Sequence, residues 1–207
     1  KGIVTQLKWL LEDAEPGDQL LFHYSGHGAQ APSMHPGFEK DGLDELICPY
    51  NFDGTEATAI KDKEFASIFA KIPSGVHFVW ISDSCHAQDL SRDPMMNGFS
   101  LFRQFKGAIP SPMVSNTFVS DSAPANTRVL NGVLLSACSS NELSADAIFN
   151  NRFNGAFTYL LLKQLNSMSQ QVSMQKIIAA VNKEMDVLGY DQNPKCEGLL
   201  ENKTFFL

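Results

Sequence analysis

Cysteine, long apolar runs and positive charge are all scarce in this chain. Its 207 residues include four cysteines with no CxxC pair, which excludes a disulfide-dense scaffold and disfavours a cysteine-rich metal site. No apolar run approaches the roughly 18 residues that a membrane-spanning helix needs. Acidic residues outnumber basic ones by 23 to 16, and the net charge of −7 argues against nucleic acid or an anionic membrane as partner. Together these features favour the reducing cytoplasm.

The remaining composition is that of a globular domain, with 43% hydrophobic and 19% charged residues. Apolar strands alternate with amphipathic helices along the chain. We expect helices at 3–11, 58–71, 156–165 and 174–188, strands at 20–24, 76–82 and 133–137, and an edge strand at 203–207. This alternation predicts an α/β fold with a mostly parallel sheet between helices.

The pattern is lost between His86 and about Asn131. Proline, glycine, serine and asparagine are frequent there, and the segment predicts a long mobile loop. A loop of that length inside a compact domain is usually functional.

Two predicted strands end in residues that can carry chemistry. The first runs into SGHG, which contains His27, and the second into DSCH, which contains Cys85. Active sites gather where parallel strands end. A thiol becomes a nucleophile beside a base, and glycine N–H groups can stabilise an oxyanion. Either residue alone is more often structural, but both together at one sheet edge predict cysteine-based acyl transfer.

These two motifs resemble those of a known protein family. YSGHG at 24–28 and DSCH at 83–86 resemble the catalytic motifs of the metacaspases and bacterial caspase-like peptidases, the orthocaspases. Similar segments elsewhere are PGDQLLFHYSGHG, DGLDELICPYNFDG, IKDKE, LLSACSSNELSAD and NGAFTYLLLKQL. The resemblance implies a caspase-like three-layer sandwich. It makes 1–207 one catalytic domain, with a large-subunit-like part at about 1–90, a mobile loop at about 91–131 and a small-subunit-like part at about 132–207.

The resemblance also implies residue roles. Cys85 would be the nucleophile and His27 the general base and acid, with an oxyanion hole formed by the N–H groups of Gly28 and Cys85. The acidic pocket of the family, which takes Arg or Lys before the cleaved bond, maps onto Asp83 and Ser25. A carboxylate there suits a guanidinium, which it can bind in a bidentate manner. The alternative for Asp83 is a structural cap.

Many metacaspases require calcium, held by a group of aspartates. Two of those positions match Asp44 and Asp62, but a third is Lys63 here. Calcium takes six to eight oxygen ligands, and a lysine opposes its binding. The chemistry requires no cofactor, and calcium remains a candidate activator. The alternative for this acidic segment is a solvated loop.

The family differs from this chain at two places. Its sheet begins with a central strand that has no counterpart here. Either that strand belongs to a separated or omitted N-terminal segment, which the lack of an initial Met favours, or the sheet is built differently. A self-cleavage before Lys1 is one way in which such a segment would be separated. The loop after Cys85 contains potential Arg/Lys cut sites at Arg92, Arg103, Lys106 and Arg128. The alternative for this loop is a gate that covers the cleft. Metacaspases are generally monomeric, and we expect the same here.

The leading hypothesis is a cysteine endopeptidase that cleaves polypeptides after Arg or Lys, with its own N-terminal segment as a further substrate. The alternatives are a catalytically silent caspase-like interaction domain and a related-fold cysteine peptidase of the legumain or gingipain type. A phosphate-binding loop is disfavoured, since SGHG lacks the GxxxxGK spacing. A zinc site would need the residues His23, His27, Cys85 and His86 to converge.

Overall fold

The computed structural model describes residues 2–33, 43–84, 132–139, 142–168, 172–198 and 204–205, and the backbone of 101–102. In chain order the elements are α1 (Gly2–Glu12), β1 (Gln19–Ser25), β2 (Gly28–Pro32), β3 (Leu43–Ile47), β4 (Ile60–Lys61), α2 (Asp62–Phe69), β5 (His77–Asp83), β6 (Leu101–Phe102), β7 (Val133–Ser136), β8 (Ala145–Phe149), β9 (Arg152–Gly155), α3 (Ala156–Ser167), α4 (Met174–Leu188) and β10 (Lys195–Gly198).

The main sheet has the strand order β1-β5-β7-β10. Strands β1, β5 and β7 are parallel, and β10 pairs antiparallel with β7. The predicted α/β fold with a mostly parallel sheet is therefore confirmed. Ser25 pairs with Asp83, so β1 and β5 end side by side.

Apolar side chains cover both faces of this sheet. Successive residues of a strand point to opposite faces, and β5 shows it clearly. Phe78 packs with the aromatic cluster of α2, which includes Phe65 and Phe69. Val79 and Ile81 pack with the residues of α3 and α4. Burial on both faces explains why β5 is an almost unbroken apolar run.

Two small sheets lie outside the predicted pattern. Strands β2, β3 and β4 form an antiparallel sheet that begins directly after His27, and β6, β8 and β9 form another. The GAQAP sequence of β2 is poor in strand-forming residues and gives little signal. The turn between β8 and β9 has a clearer sequence signal, the pair Asn150–Asn151. These residues have φ of 51° and 62°, a conformation typical of tight hairpin turns.

Three expectations are corrected or limited. The helix predicted at 58–71 is only Asp62–Phe69, because Ile60 and Lys61 pair with β3 as a strand. In the predicted edge strand at 203–207, the described Thr204 makes an isolated bridge to Ser173. Most of the 86–131 loop lies outside the described residues. In the part of the chain that the structure describes, no helix is both long enough and apolar enough to cross a bilayer.

Candidate active site at the ends of β1 and β5

His27 stands at the carboxyl end of β1, beside the end of β5. The Gly26 N–H donates to the carbonyl of Asp83 at 3.2 Å. This hydrogen bond extends the contact between the two chain segments one residue beyond the end of β1. The His27 side chain is exposed. Cys85 lies outside the described residues, which stop at Ser84 on this side. The structure therefore brings the His27 turn to the strand end that leads directly into Cys85.

The Tyr24 side chain fixes the turn that contains His27. Its hydroxyl lies 2.8 Å from the carbonyl oxygen of His27 and 3.0 Å from that of Cys48, and it shares its single proton between them. The Cys48 N–H donates to the same His27 carbonyl at 3.0 Å. The main chain of His27 is thus fixed to the end of β3, while its imidazole faces outward. Sequence reasoning missed this role of Tyr24, although the residue belongs to the YSGHG motif.

Gly26 is required by this arrangement. A Cβ at this position would lie 2.8 Å from the Tyr24 hydroxyl oxygen and 3.0 Å from the ring carbon that bears it. Either the ring or the turn would have to move for any larger residue. The glycine therefore permits the close packing that positions His27.

The other two residues of the predicted strand-end site are also described. Gly28 is buried and begins β2, opposite Ile47. Ser25 is exposed and is the register partner of Asp83. Both lie within two residues of His27 along the chain, at the same edge of the main sheet.

Asp83 is completely buried and caps helix α3. Its Oδ1 accepts a hydrogen bond from the Ser144 hydroxyl at 2.7 Å. Its Oδ2 accepts from the Thr158 N–H at 3.1 Å and from the Thr158 hydroxyl at 2.5 Å. A carboxylate at a helix N-terminus satisfies N–H groups that have no partner within the helix. Of the two roles expected for Asp83, the described contacts show the cap, and the substrate role stays a prediction.

Asp44 is held by lysine ammonium groups. Lys63 Nζ lies 2.5 Å from Oδ1 and Lys61 Nζ 3.6 Å from Oδ2. Burial on its own would raise the pKa of Asp44, but the Lys63 and Ser33 hydrogen bonds and both lysine charges outweigh it and leave that pKa lowered. Asp62 begins α2, and its Oδ1 accepts the N–H of Lys63 at 2.7 Å.

These residues do not fit calcium, which requires several oxygen ligands and carboxylates that are open to the ion. Within the described ranges, no group of three or more acidic, histidine or cysteine side chains is placed to bind a metal. Of the expected pair, Asp44 is accompanied by the ammonium groups of Lys61 and Lys63, and Asp62 accepts the backbone N–H of Lys63.

A second network stabilises the neighbouring strand ends. Buried Gln192 donates to the carbonyl of Ala137 at 2.8 Å and accepts the N–H of Ala145 at 3.1 Å. Cys138 follows Ala137 in the chain, and its thiol lies 3.5 Å from the carbonyl oxygen of Ser84. The segment after β7 therefore packs against the residue that precedes Cys85. No pattern in the amino-acid sequence predicts this network.

Among the described thiols, Cys48 is a poor candidate for the nucleophile. Cys48, Cys138 and Cys196 are thiols rather than disulfides. Burial raises the pKa of Cys48 to about 12, so this residue carries almost no thiolate at neutral pH.

Comparison with known proteins agrees with this geometry. The family model of the metacaspase, peptidase C14 domain matches residues 1–92. Metacaspase-1 of Meyerozyma guilliermondii is 30% identical over 203 residues, an alignment that covers 83% of this chain and 49% of that protein. The chain belongs to the metacaspase family of caspase-like proteins. It spans about half the length of the curated metacaspases that it matches.

Solved structures show that this metacaspase has the caspase-like fold. A protein of Geobacter sulfurreducens superposes with a TM-score of 0.63 at 24% identity, covering 95% of this chain and 71% of the other. Caspase-1 of Spodoptera frugiperda superposes with a TM-score of 0.54 at 15% identity, covering 95% and 68%. The expected caspase-like α/β architecture is confirmed.

Proposed function

We propose that this metacaspase is a cysteine endopeptidase that cleaves polypeptides after Arg or Lys, with His27 and Cys85 as its catalytic dyad. The observation that carries the proposal is the register of β1 and β5. Because Ser25 pairs with Asp83, the strand that leads to His27 and the strand that leads to Cys85 end together. The exposed imidazole is accessible to a peptide substrate at that edge.

The proposed reaction follows from the chemistry of these groups. His27 removes the proton of the Cys85 thiol, and the thiolate forms a bond to the carbonyl carbon of the substrate. The N–H groups of Gly28 and Cys85 stabilise the resulting oxyanion. His27 then gives the proton to the leaving amine as the C–N bond breaks. Water, activated by His27, hydrolyses the thioester and restores the thiol.

Asp83, with Ser25 beside it, supplies the preference for Arg or Lys in this proposal. The carboxylate of Asp83 is a buried negative charge at the strand ends where the peptide would lie. Its hydrogen bonds to Ser144 and Thr158 orient the carboxylate without cancelling its charge. A positively charged side chain is therefore favoured over a negatively charged one.

The remaining parts of the proposal concern the state of the protein. We expect a monomer in the cytoplasm, where the thiols found at the described cysteines are the usual state. We also expect the enzyme to cut its own chain within the loop after Cys85. Nucleic acid and membranes are not expected as partners, because of the net charge of −7.

Hydrolysis of fluorogenic peptides ending in Arg, Lys or Asp tests the activity. It is measured on the natural full-length protein and on its Cys85→Ala, His27→Ala and Cys196→Ala variants. We expect cleavage after Arg and Lys, with kcat/KM lowered by about 10³-fold or more in the first two variants. Cys196 is a half-buried cysteine on β10, so Cys196→Ala serves as the control and should retain activity.

The other outcomes separate the alternatives. Cleavage after Asp that depends on Cys85 would keep the dyad and reject the role of Asp83, as expected for a related-fold peptidase. Failure of the full-length protein to cleave any of the three peptides would favour an interaction domain. Full activity of Cys85→Ala would reject the proposed nucleophile.

A further inference from the structure

We propose that the ammonium group of Lys63 is a built-in cation that takes the place of a divalent metal at Asp44 and holds the β2–β3–β4 sheet without calcium. This inference concerns binding and stability, and it does not depend on peptidase activity. It follows from the positions of four charged side chains, Asp44, Glu56, Lys61 and Lys63, which we call the lysine–carboxylate cluster.

The Lys63 ammonium joins three elements. It donates to Asp44 Oδ1 on β3 at 2.5 Å and to the hydroxyl of Ser33, just after β2, at 3.0 Å. Lys63 itself belongs to the first turn of α2. The ammonium therefore lies between two oxygen ligands from separate strands, as a bound metal ion would.

Burial makes this cation necessary. Asp44 is only 2% exposed, and a buried carboxylate without a positive partner is strongly destabilising. A second ammonium, that of Lys61, approaches Asp44 Oδ2 and also pairs with Glu56. One lysine alone would leave one of the two carboxylates without a matching charge.

Charge balance argues against an added calcium ion. The lysine–carboxylate cluster contains two negative and two positive side chains, so its charges sum to zero. A divalent ion would raise the sum for these four side chains to two positive charges, and the sum would still be positive by one charge if the neighbouring Asp62 were counted with them. It would also have to displace an ammonium group from Asp44 before it could coordinate the carboxylate.

The cluster supports the turn that carries His27. Asp44 pairs with Ala31 at one end of the β2–β3 hairpin, while Gly28 pairs with Ile47 at the other. At this second end, the Cys48 N–H holds the carbonyl of His27. The ammonium therefore anchors the far end of the hairpin on which His27 depends.

Calcium-dependent thermal unfolding tests the proposal on the natural full-length protein. The melting temperature Tm is measured in millimolar calcium chloride and in a chelator for the unaltered protein, Lys63→Glu, Lys63→Arg and Lys8→Glu. The charge reversal at Lys63 adds a carboxylate beside Asp44 and Ser33. Lys63→Arg keeps the positive charge, and Lys8→Glu reverses the charge of an exposed lysine on α1.

We expect the Tm of the unaltered protein, Lys63→Arg and Lys8→Glu to be the same with calcium and with chelator. Lys63→Glu should have a lower Tm in chelator and regain several degrees in calcium, because the ion then binds the folded state. A calcium-dependent rise in the unaltered protein would overturn the proposal. A Lys63→Glu protein that folds but does not respond to calcium would also overturn it, since Asp44 would then not be a metal-competent position.

Isothermal titration of calcium chloride into the unaltered protein keeps the test decisive if Lys63→Glu does not fold. The proposal expects no heat of stoichiometric binding from the unaltered protein. Saturable binding of one calcium ion that Asp44→Asn removes would overturn it.

Discussion

At the scale of single residues, Tyr24 connects the fold to the proposed chemistry. Its hydroxyl is the donor shared by the His27 and Cys48 carbonyls, and its ring packs against Gly26. Tyr24 does not need to touch a substrate to affect catalysis. Because it sets the position of the His27 main chain, it acts as a positioning residue.

Tyr24→Phe should lower kcat several-fold with little change in KM, since a displaced base impairs proton transfer more than substrate binding. The lost hydrogen bond should also reduce the free energy of unfolding by about 1–2 kcal/mol. Steady-state kinetics and urea unfolding measure the two effects. Tyr50→Phe is the matched control, because the Tyr50 side chain is fully exposed. An unchanged kcat in a destabilised Tyr24→Phe protein would show that Tyr24 supports only the fold.

At the scale of elements, the ends of the strands are held by side chains distant in sequence. Asp83 at the end of β5 caps α3 through Thr158, 75 residues later. Gln192 connects the residue after β7 with the first residue of β8. These polar contacts give the sheet edge a fixed geometry, which a site with preorganised donors requires.

Gln192→Leu should destabilise the protein by about 2–4 kcal/mol, because the Ala137 carbonyl and the Ala145 N–H both lose their side-chain partner in a buried setting. Urea unfolding measures the loss. Gln175→Leu, at an exposed position on α4, is the control and should change stability little. A Gln192→Leu protein as stable as this control would contradict the bridging role.

At the scale of the whole molecule, the main sheet separates two apolar cores, one beneath α1 and α2 and the other beneath α3 and α4. Parallel β1, β5 and β7 join these cores, and β5 contributes to both. Continuity of the sheet means that a cut in the loop between β5 and β7 leaves two parts that share extensive buried surface. We therefore expect a nicked protein to remain associated.

Self-cleavage can be tested by gel electrophoresis and intact-mass analysis of freshly purified protein. The native protein should be cut over time after one or more of Arg92, Arg103, Lys106 and Arg128, whereas Cys85→Ala should remain a single chain. The two parts of the cut protein should still elute together under native conditions. Identical cutting of both proteins would indicate a contaminating protease and contradict self-processing.

Local sequence pattern was sufficient for much of this architecture. Strands β1, β5 and β7 and helices α1, α3 and α4 were predicted because their apolar periodicity depends only on neighbouring residues. The same reasoning placed His27 at the end of β1, since the strand and the glycine turn are adjacent in the chain. The short strands β2 and β4 escaped prediction because their stability comes from pairing with β3 and not from their own composition.

The partners of the site residues could not be read from the chain. Asp83 meets Ser144 across 61 residues, Lys63 meets Ser33 across 30, and Gln192 meets Ala137 across 55. Periodicity and motif spacing record which face a residue occupies, so they predicted strands, helices and the edge where the site lies. Which polar groups meet across that edge depends on how the whole chain packs. For this reason the fold was needed to reveal the cap on α3 and the ammonium group beside Asp44.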